Sequence, residues 1–288
     1  MSVPTFLSIQ NILTDEYKCI NFLFEKNILY KPEKCQKCDS KLYRDKKRFC
    51  CVNKKCRKTV SIFKDSFFSK NHLRNDNAML VGYLWLCKSS YTTIKMITSY
   101  SSNAISDYIR FFRELVVNTL DDCNQMIGGK GVIVEIDESK FGRRKYHRGR
   151  RVDGVWVIGG IEKTPKKKCF LVKVEKRDED TIKRILEMYV RKGSIVRTDC
   201  WRGYLNIEEL DVSHETVNHS KHFTDPKTGV HTNTIEGLWN GIKLQISPRN
   251  RDKKLIENHL LEFIWRKVNK DRLWDAFIGA LRNTAYYD

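Results

Sequence analysis

No apolar run in this sequence is long enough to cross a bilayer: the longest, Ala78 to Cys87, stops at Lys88, far short of the roughly 20 residues that a spanning helix needs. The first thirty residues also lack a basic segment followed by an apolar one, so nothing marks the chain for export, and an intracellular protein is expected. Internal repeats and low-complexity tracts are missing, which argues against a repeat architecture. Acidic residues are in short supply, with 35 Asp+Glu against 54 Lys+Arg and a formal charge of +19. Such a field disfavours acidic partners and attracts a polyanion, nucleic acid first among them. A disulfide framework is not expected either, because ten cysteines in a Lys-rich intracellular chain read as thiols and metal ligands.

What is present divides into segments. A chain of 288 residues suits a catalytic domain with a smaller appended module better than one undivided unit. Residues 1–70 read as an amphipathic helix, capped at Thr14, followed by a Cys- and Lys-rich stretch of short strands. Residues 71–127 read as three helices, Asn75 to Cys87, Thr92 to Ser99 and Ser102 to Thr119, each opened by residues able to cap it. Gly128-Gly129-Lys130-Gly131 reads as a linker. Residues 128–288 then form an α/β unit: strands at Val132 to Ile136, Val155 to Ile161 and Phe170 to Val174, a helix around Asp180 to Val190, and a strand at Ile195 to Thr198. Helices at Thr234 to Leu244, Lys254 to Val268 and Leu273 to Leu281 complete it.

The cysteines cluster. Cys35-x-x-Cys38 and Cys51-x4-Cys56, separated by a hairpin-length segment, supply the four thiolates of a structural Zn2+ site, as in a zinc ribbon. Cys50 is the alternative to Cys51, since neighbours in an extended strand point to opposite faces and only one can reach the metal. Cys51 is favoured because it shares its side with Phe49. Cys19, Cys87, Cys123, Cys169 and Cys200 are scattered among apolar residues and read as inert. Lys41, Arg44, Lys46, Lys47, Arg48, Lys54, Lys55, Arg57 and Lys58 outweigh Asp39 and Asp45 within the ribbon, which points to phosphate contact.

The three helices suit a helix-turn-helix, with Ser106, Asp107, Arg110 and Arg113 toward DNA and Ile105, Tyr108, Ile109 and Phe112 inward. A purely structural three-helix bundle is the competing reading, and periodicity alone does not separate them.

Three carboxylates carry the chemistry. Asp137 closes an apolar strand beside the basic stretch Lys140 to Arg151, where Lys140, Arg143, Arg144 and Lys145 are candidate DNA contacts. Asp199 stands where a short buried strand meets a turn. Glu236 adjoins the apolar face made by Ile235, Leu238, Trp239 and Ile242. Carboxylates in this order suit two Mg2+ or Mn2+ ions at a phosphodiester. His231, Asn233 and Lys243 are expected site neighbours. Trp201 and Trp239 read as core aromatics rather than base-stacking platforms.

The blocks Ile136-Asp-Glu-Ser-Lys140, Asp153 to Glu162, Thr198-Asp-Cys-Trp-Arg-Gly-Tyr204 and His231 to Lys243 together resemble the signature blocks of Merlin-type transposases, eukaryotic relatives of a group of bacterial insertion-sequence transposases. The resemblance runs from the ribbon to about Asn269. It implies an RNase H-like core and a DDE transposase with Asp137, Asp199 and Glu236 as its triad, cutting at terminal inverted repeats and joining the freed 3′-OH to target DNA. Some bacterial relatives carry Asn at the third position, which here would be Asn233. A homodimer or larger assembly is expected, because two transposon ends must meet, and the nucleus is the expected compartment. The rivals are a domesticated DNA-binding protein without catalysis and a stand-alone metal-dependent nuclease.

Overall fold

The computed structural model describes residues 2–69, 72–120, 126–142, 154–217 and 231–284. Its contacts divide the chain into two units, Met1–Thr119 with Asn269–Asp288, and Leu120–Val268.

The first unit opens with two helices, α1 (Phe6–Thr14) and α2 (Glu16–Glu25), where the sequence suggested one. Thr14 is not the cap. Its hydroxyl donates back to the Gln10 carbonyl at 2.8 Å and so belongs to α1. The break falls at Asp15, whose backbone is extended and whose carboxylate accepts from the Lys18 N–H, capping α2. Next comes an antiparallel sheet of three strands, β1 (Leu42–Asp45), β2 (Arg48–Cys51) and β3 (Thr59–Ser61). Helices α3 (Asn75–Leu86), α4 (Tyr91–Thr98) and α5 (Ser102–Val117) follow. The Ser90 and Ser101 hydroxyls accept from the N–H groups of Thr93 and Ala104 and so cap α4 and α5. The C-terminal helix Leu273–Asn283, grouped by sequence with residues 128–288, packs in this unit. The physical reason is aromatic: Phe277 meets Phe112 edge-on at 5.3 Å and lies 6.2 Å from Trp85.

The second unit contains β4 (Ile127–Gly128), β5 (Ile133–Phe141), β6 (Val155–Glu162), β7 (Cys169–Val174), α6 (Glu179–Tyr189), β8 (Val190–Arg191), β9 (Ile195–Asp199), β10 (Ser213–Val217), α7 (Asn233–Gln245) and α8 (Ile256–Val268); the C-terminal helix is α9. Five strands form one sheet in the order β10-β9-β5-β6-β7. Within it β5, β6 and β7 are antiparallel neighbours, while β9 runs parallel to β5 and β10 parallel to β9. Alternation along the strands builds a core on each face. Val134, Ile136, Ile158 and Phe170 pack with Ile182 and Leu186 of α6, and Phe141, Val157 and Leu171 pack with α7 and α8 through Ile235, Trp239, Ile242, Leu260 and Ile264.

Two local features depart from the sequence reading. The glycine run is no free linker: Gly128 pairs with Arg191 between β4 and β8, and the Gly129 N–H donates to the Ser194 hydroxyl at 2.9 Å. Gly128 has φ 80°, and a side chain there would collide with Ser194, so the position requires glycine. Strand β10 was not anticipated, because it is a polar edge strand in which Val217 alone is buried. No helix among the described residues is long and apolar enough to cross a membrane.

Candidate active site

Asp137 lies in the middle of β5 rather than at its end, since the strand continues to Phe141 in register with β6. Asp199 is the last residue of β9. The parallel register pairs Ile133 with Ile195 and Glu135 with Arg197. Carried two residues further, it sets Asp137 level with Asp199 and on the same face of the sheet. That face is covered by α7, whose first turn carries Asn233 and Glu236, both exposed.

The Asp137 carboxylate accepts from the Glu138 N–H at 2.8 Å and from the Trp239 indole N–H at 2.9 Å. Burial pushes its carboxyl above the usual range; these two hydrogen bonds pull it down, and the negative charges of Asp199 and Glu236 add to the rise. The three acidic groups therefore share one electrostatic environment. Asp199 is oriented by the Trp201 N–H at 2.9 Å. On the opposite face Glu138 is pushed up to about 7, by burial first and also by Asp137 and Asp199, with Arg177 3.6 Å away as partial compensation.

His231 stands just before α7, its Nε2 2.9 Å from the Lys163 ammonium and its Nδ1 3.7 Å from Glu135. Lys243 is in the last turn of α7, its ammonium 5.9 Å from the Phe141 ring centre. Trp239 is core, 4% exposed. Trp201 is half-buried, with the Arg177 guanidinium 4.7 Å from its ring. Sequence reasoning missed Glu135, fully buried and bonded to the start of α7. The available signal was a carboxylate placed among the apolar residues of a central strand.

In the ribbon, Cys35, Cys38, Cys51 and Cys56 bring their Sγ atoms within 4.8 Å of one another. The Cys35–Cys56 and Cys38–Cys51 separations are 3.8 and 3.4 Å, close to the sulfur spacing of about 3.8 Å that follows from tetrahedral Zn–S bonds of about 2.3 Å. The residues present thus fit a zinc ion. Cys50 is outside the cluster, and Cys51 shares its inward side with Phe49, both buried. Among the described residues these cysteines are the one group of three or more possible ligands gathered this tightly. Asp137, Asp199 and Glu236 do not close to that spacing.

Of the candidate DNA contacts, Arg110 is exposed on α5, 3.0 Å from Asp107, and Arg113 is half-buried on the same helix. Ser106 and Asp107 are exposed, and Ile105, Tyr108, Ile109 and Phe112 are buried. Lys140 is exposed at the end of β5, 5.3 Å from the Trp156 ring. Arg143, Arg144 and Lys145, with the rest of the basic stretch to Arg151, lie outside the described residues, as do Cys123 and Asp153.

Residues 127–267 match the family described as the ISXO2-like transposase domain. A protein of Haemophilus influenzae named as an uncharacterized transposase-like protein is 32% identical over 105 residues, which span 36% of this chain and 84% of that one.

Proposed function

Since this chain belongs to the ISXO2-like transposase family, we propose that it is a DDE transposase that cleaves double-stranded DNA at transposon ends and joins the freed 3′-OH to a target. The observation that carries this reading is the convergence of Asp199 and Glu236 on half-buried Asp137, from a parallel strand and from the first turn of α7. The sheet order supports an RNase H-like core: three antiparallel strands, with two parallel strands added beside the first of them. The signature blocks fit the Merlin-type branch of such enzymes.

Asp137, Asp199 and Glu236 would hold two Mg2+ or Mn2+ ions, which activate the attacking oxygen and stabilise the leaving one. Trp239 and the Glu138 N–H orient Asp137, and the Trp201 N–H orients Asp199, so two of the ligands are held before substrate arrives. Lys140, Arg143, Arg144 and Lys145 would neutralise DNA phosphates. Arg110 and Arg113 would do so on α5. The zinc ribbon would staple the front end and add positive charge. Two such chains, or more, would bring two terminal repeats together, in the nucleus if the Merlin-type branch is right.

The test is a strand-transfer assay with pre-cleaved terminal-repeat ends and Mg2+ or Mn2+. Joining supports the proposal. Cleavage of intact ends without joining would make the chain a stand-alone nuclease, and binding without either would make it a domesticated DNA-binding protein.

A further inference from the structure

Glu135 is 0% exposed on the central strand β5. A carboxylate removed from water is tolerable only when its oxygens are taken up by donors. Here the donors come from one place. Oε2 accepts from the N–H groups of Thr234 at 2.8 Å and Ile235 at 3.0 Å, and Oε1 accepts from the Thr234 hydroxyl at 2.9 Å. These amides belong to the first turn of α7, where N–H groups have no partner within the helix and where negative charge is favoured. The Thr232 side chain, at the N-cap position, does not cap the helix. The cap is supplied by a different element, a hundred residues earlier in the chain.

The cap also holds a distance. Glu135 is two residues before Asp137 and on the same face of β5, while Thr234 is two residues before Glu236. We propose that Glu135 is a positioning residue for the active site: by clamping the start of α7 to β5 it sets where Glu236 and Asn233 stand relative to Asp137. The proposal rests on the transposase reading above. A mere buried cap would affect stability alone. A positioning residue must also change how the carboxylates hold a metal.

The experiment uses the full zinc-loaded chain and Mn2+ alone as probe, with bound and free Mn2+ distinguished by electron paramagnetic resonance, together with thermal melting and duplex binding. Glu135→Gln keeps the side-chain volume and one acceptor oxygen. It should weaken Mn2+ binding about 10- to 100-fold, the usual cost of losing an outer partner of a metal ligand, and raise the Mn2+ needed for half-maximal cleavage in step, with duplex affinity unchanged. Thr234→Val removes one of the bonds and should shift Mn2+ binding in the same direction by less. A folded Glu135→Gln protein with the wild-type Mn2+ isotherm overturns the proposal. Should that variant fail to fold, an unshifted isotherm in Thr234→Val does so instead. Asp137→Ala separates the two levels, since a wild-type isotherm there would remove the proposed metal site itself, not merely its clamp.

Discussion

The indole N–H of Trp239 donates to Oδ2 of Asp137 across 2.9 Å. The same ring lies over Gly159, where an added Cβ would come within 2.7 Å of it, and Gly159 is the residue directly opposite Asp137 in the β5–β6 register. One side chain thus fills the core and orients a candidate ligand, and the missing side chain on β6 makes room for it. Trp239→Phe keeps most of the ring and loses the donor. A hydrogen bond to a charged group contributes about 1.5–3 kcal/mol, so single-turnover cleavage should fall on the order of 10- to 100-fold with duplex binding intact. Cleavage at the wild-type rate would mean that Asp137 does not depend on this bond.

Asp137→Ala, Asp199→Ala and Glu236→Ala should each abolish Mg2+-dependent cleavage and leave terminal-repeat binding nearly unchanged, because each removes charge from the proposed ion pair but no phosphate contact. Asn233→Ala should be milder, since a neutral oxygen offsets less charge than a carboxylate. Activity in Glu236→Ala with none in Asn233→Ala would move the third ligand one helical turn earlier.

Metal analysis should return about one zinc per chain. Serine at Cys35, Cys38, Cys51 or Cys56 should lower the zinc content and the stability of the ribbon, and Cys50→Ser should do neither. Retention of zinc by Cys51→Ser together with its loss from Cys50→Ser would reverse the assignment.

Duplex affinity should drop steeply with salt, because each phosphate neutralised by Lys or Arg releases counterions, with a slope of about −0.9 per contact. Titrations at low and at physiological salt measure it. A flat response would remove the +19 charge as the basis of binding.

His214 should give the second unit a pH dependence. Burial pushes its imidazole below the ordinary 6.5, with Glu208 pulling the other way, and its Nε2 sits 2.9 Å from the Thr198 hydroxyl. A folded value below the unfolded one means that the stabilisation is complete above the ordinary value and is lost as pH falls through the folded one. Urea midpoints should therefore drop between about pH 7.5 and about pH 5.5, and His214→Asn should flatten the difference. An equal slope in both proteins would assign it to other groups.

How far all this was readable beforehand depended on locality. The ribbon ligands, the capped helices α4 and α5, and the strands around Asp137 and Asp199 follow from spacing and alternation within a few residues. Asp15 was missed because Thr14 is as good a capping residue on paper, and only the Thr14 bond to Gln10 decides between them. β10 was missed because an edge strand needs little apolar surface. Glu135 and Trp239 were missed as site residues because their partners are about a hundred positions away. The home of α9 lies in rings at positions 85, 112 and 277 that no local window joins.

That return of α9 orders the events of synthesis. Leu120–Val268 is one unbroken stretch, so a ribosome delivers all of its strands and helices together, and it can close while later residues are still being added. The first unit cannot. The Ser2 carbonyl accepts from the Trp274 N–H at 2.9 Å, and Phe112 waits for Phe277. The unit that carries Asp137, Asp199 and Glu236 is therefore positioned to mature before the other, and a message interrupted after residue 268 would leave the ribbon and its helices without their closing helix.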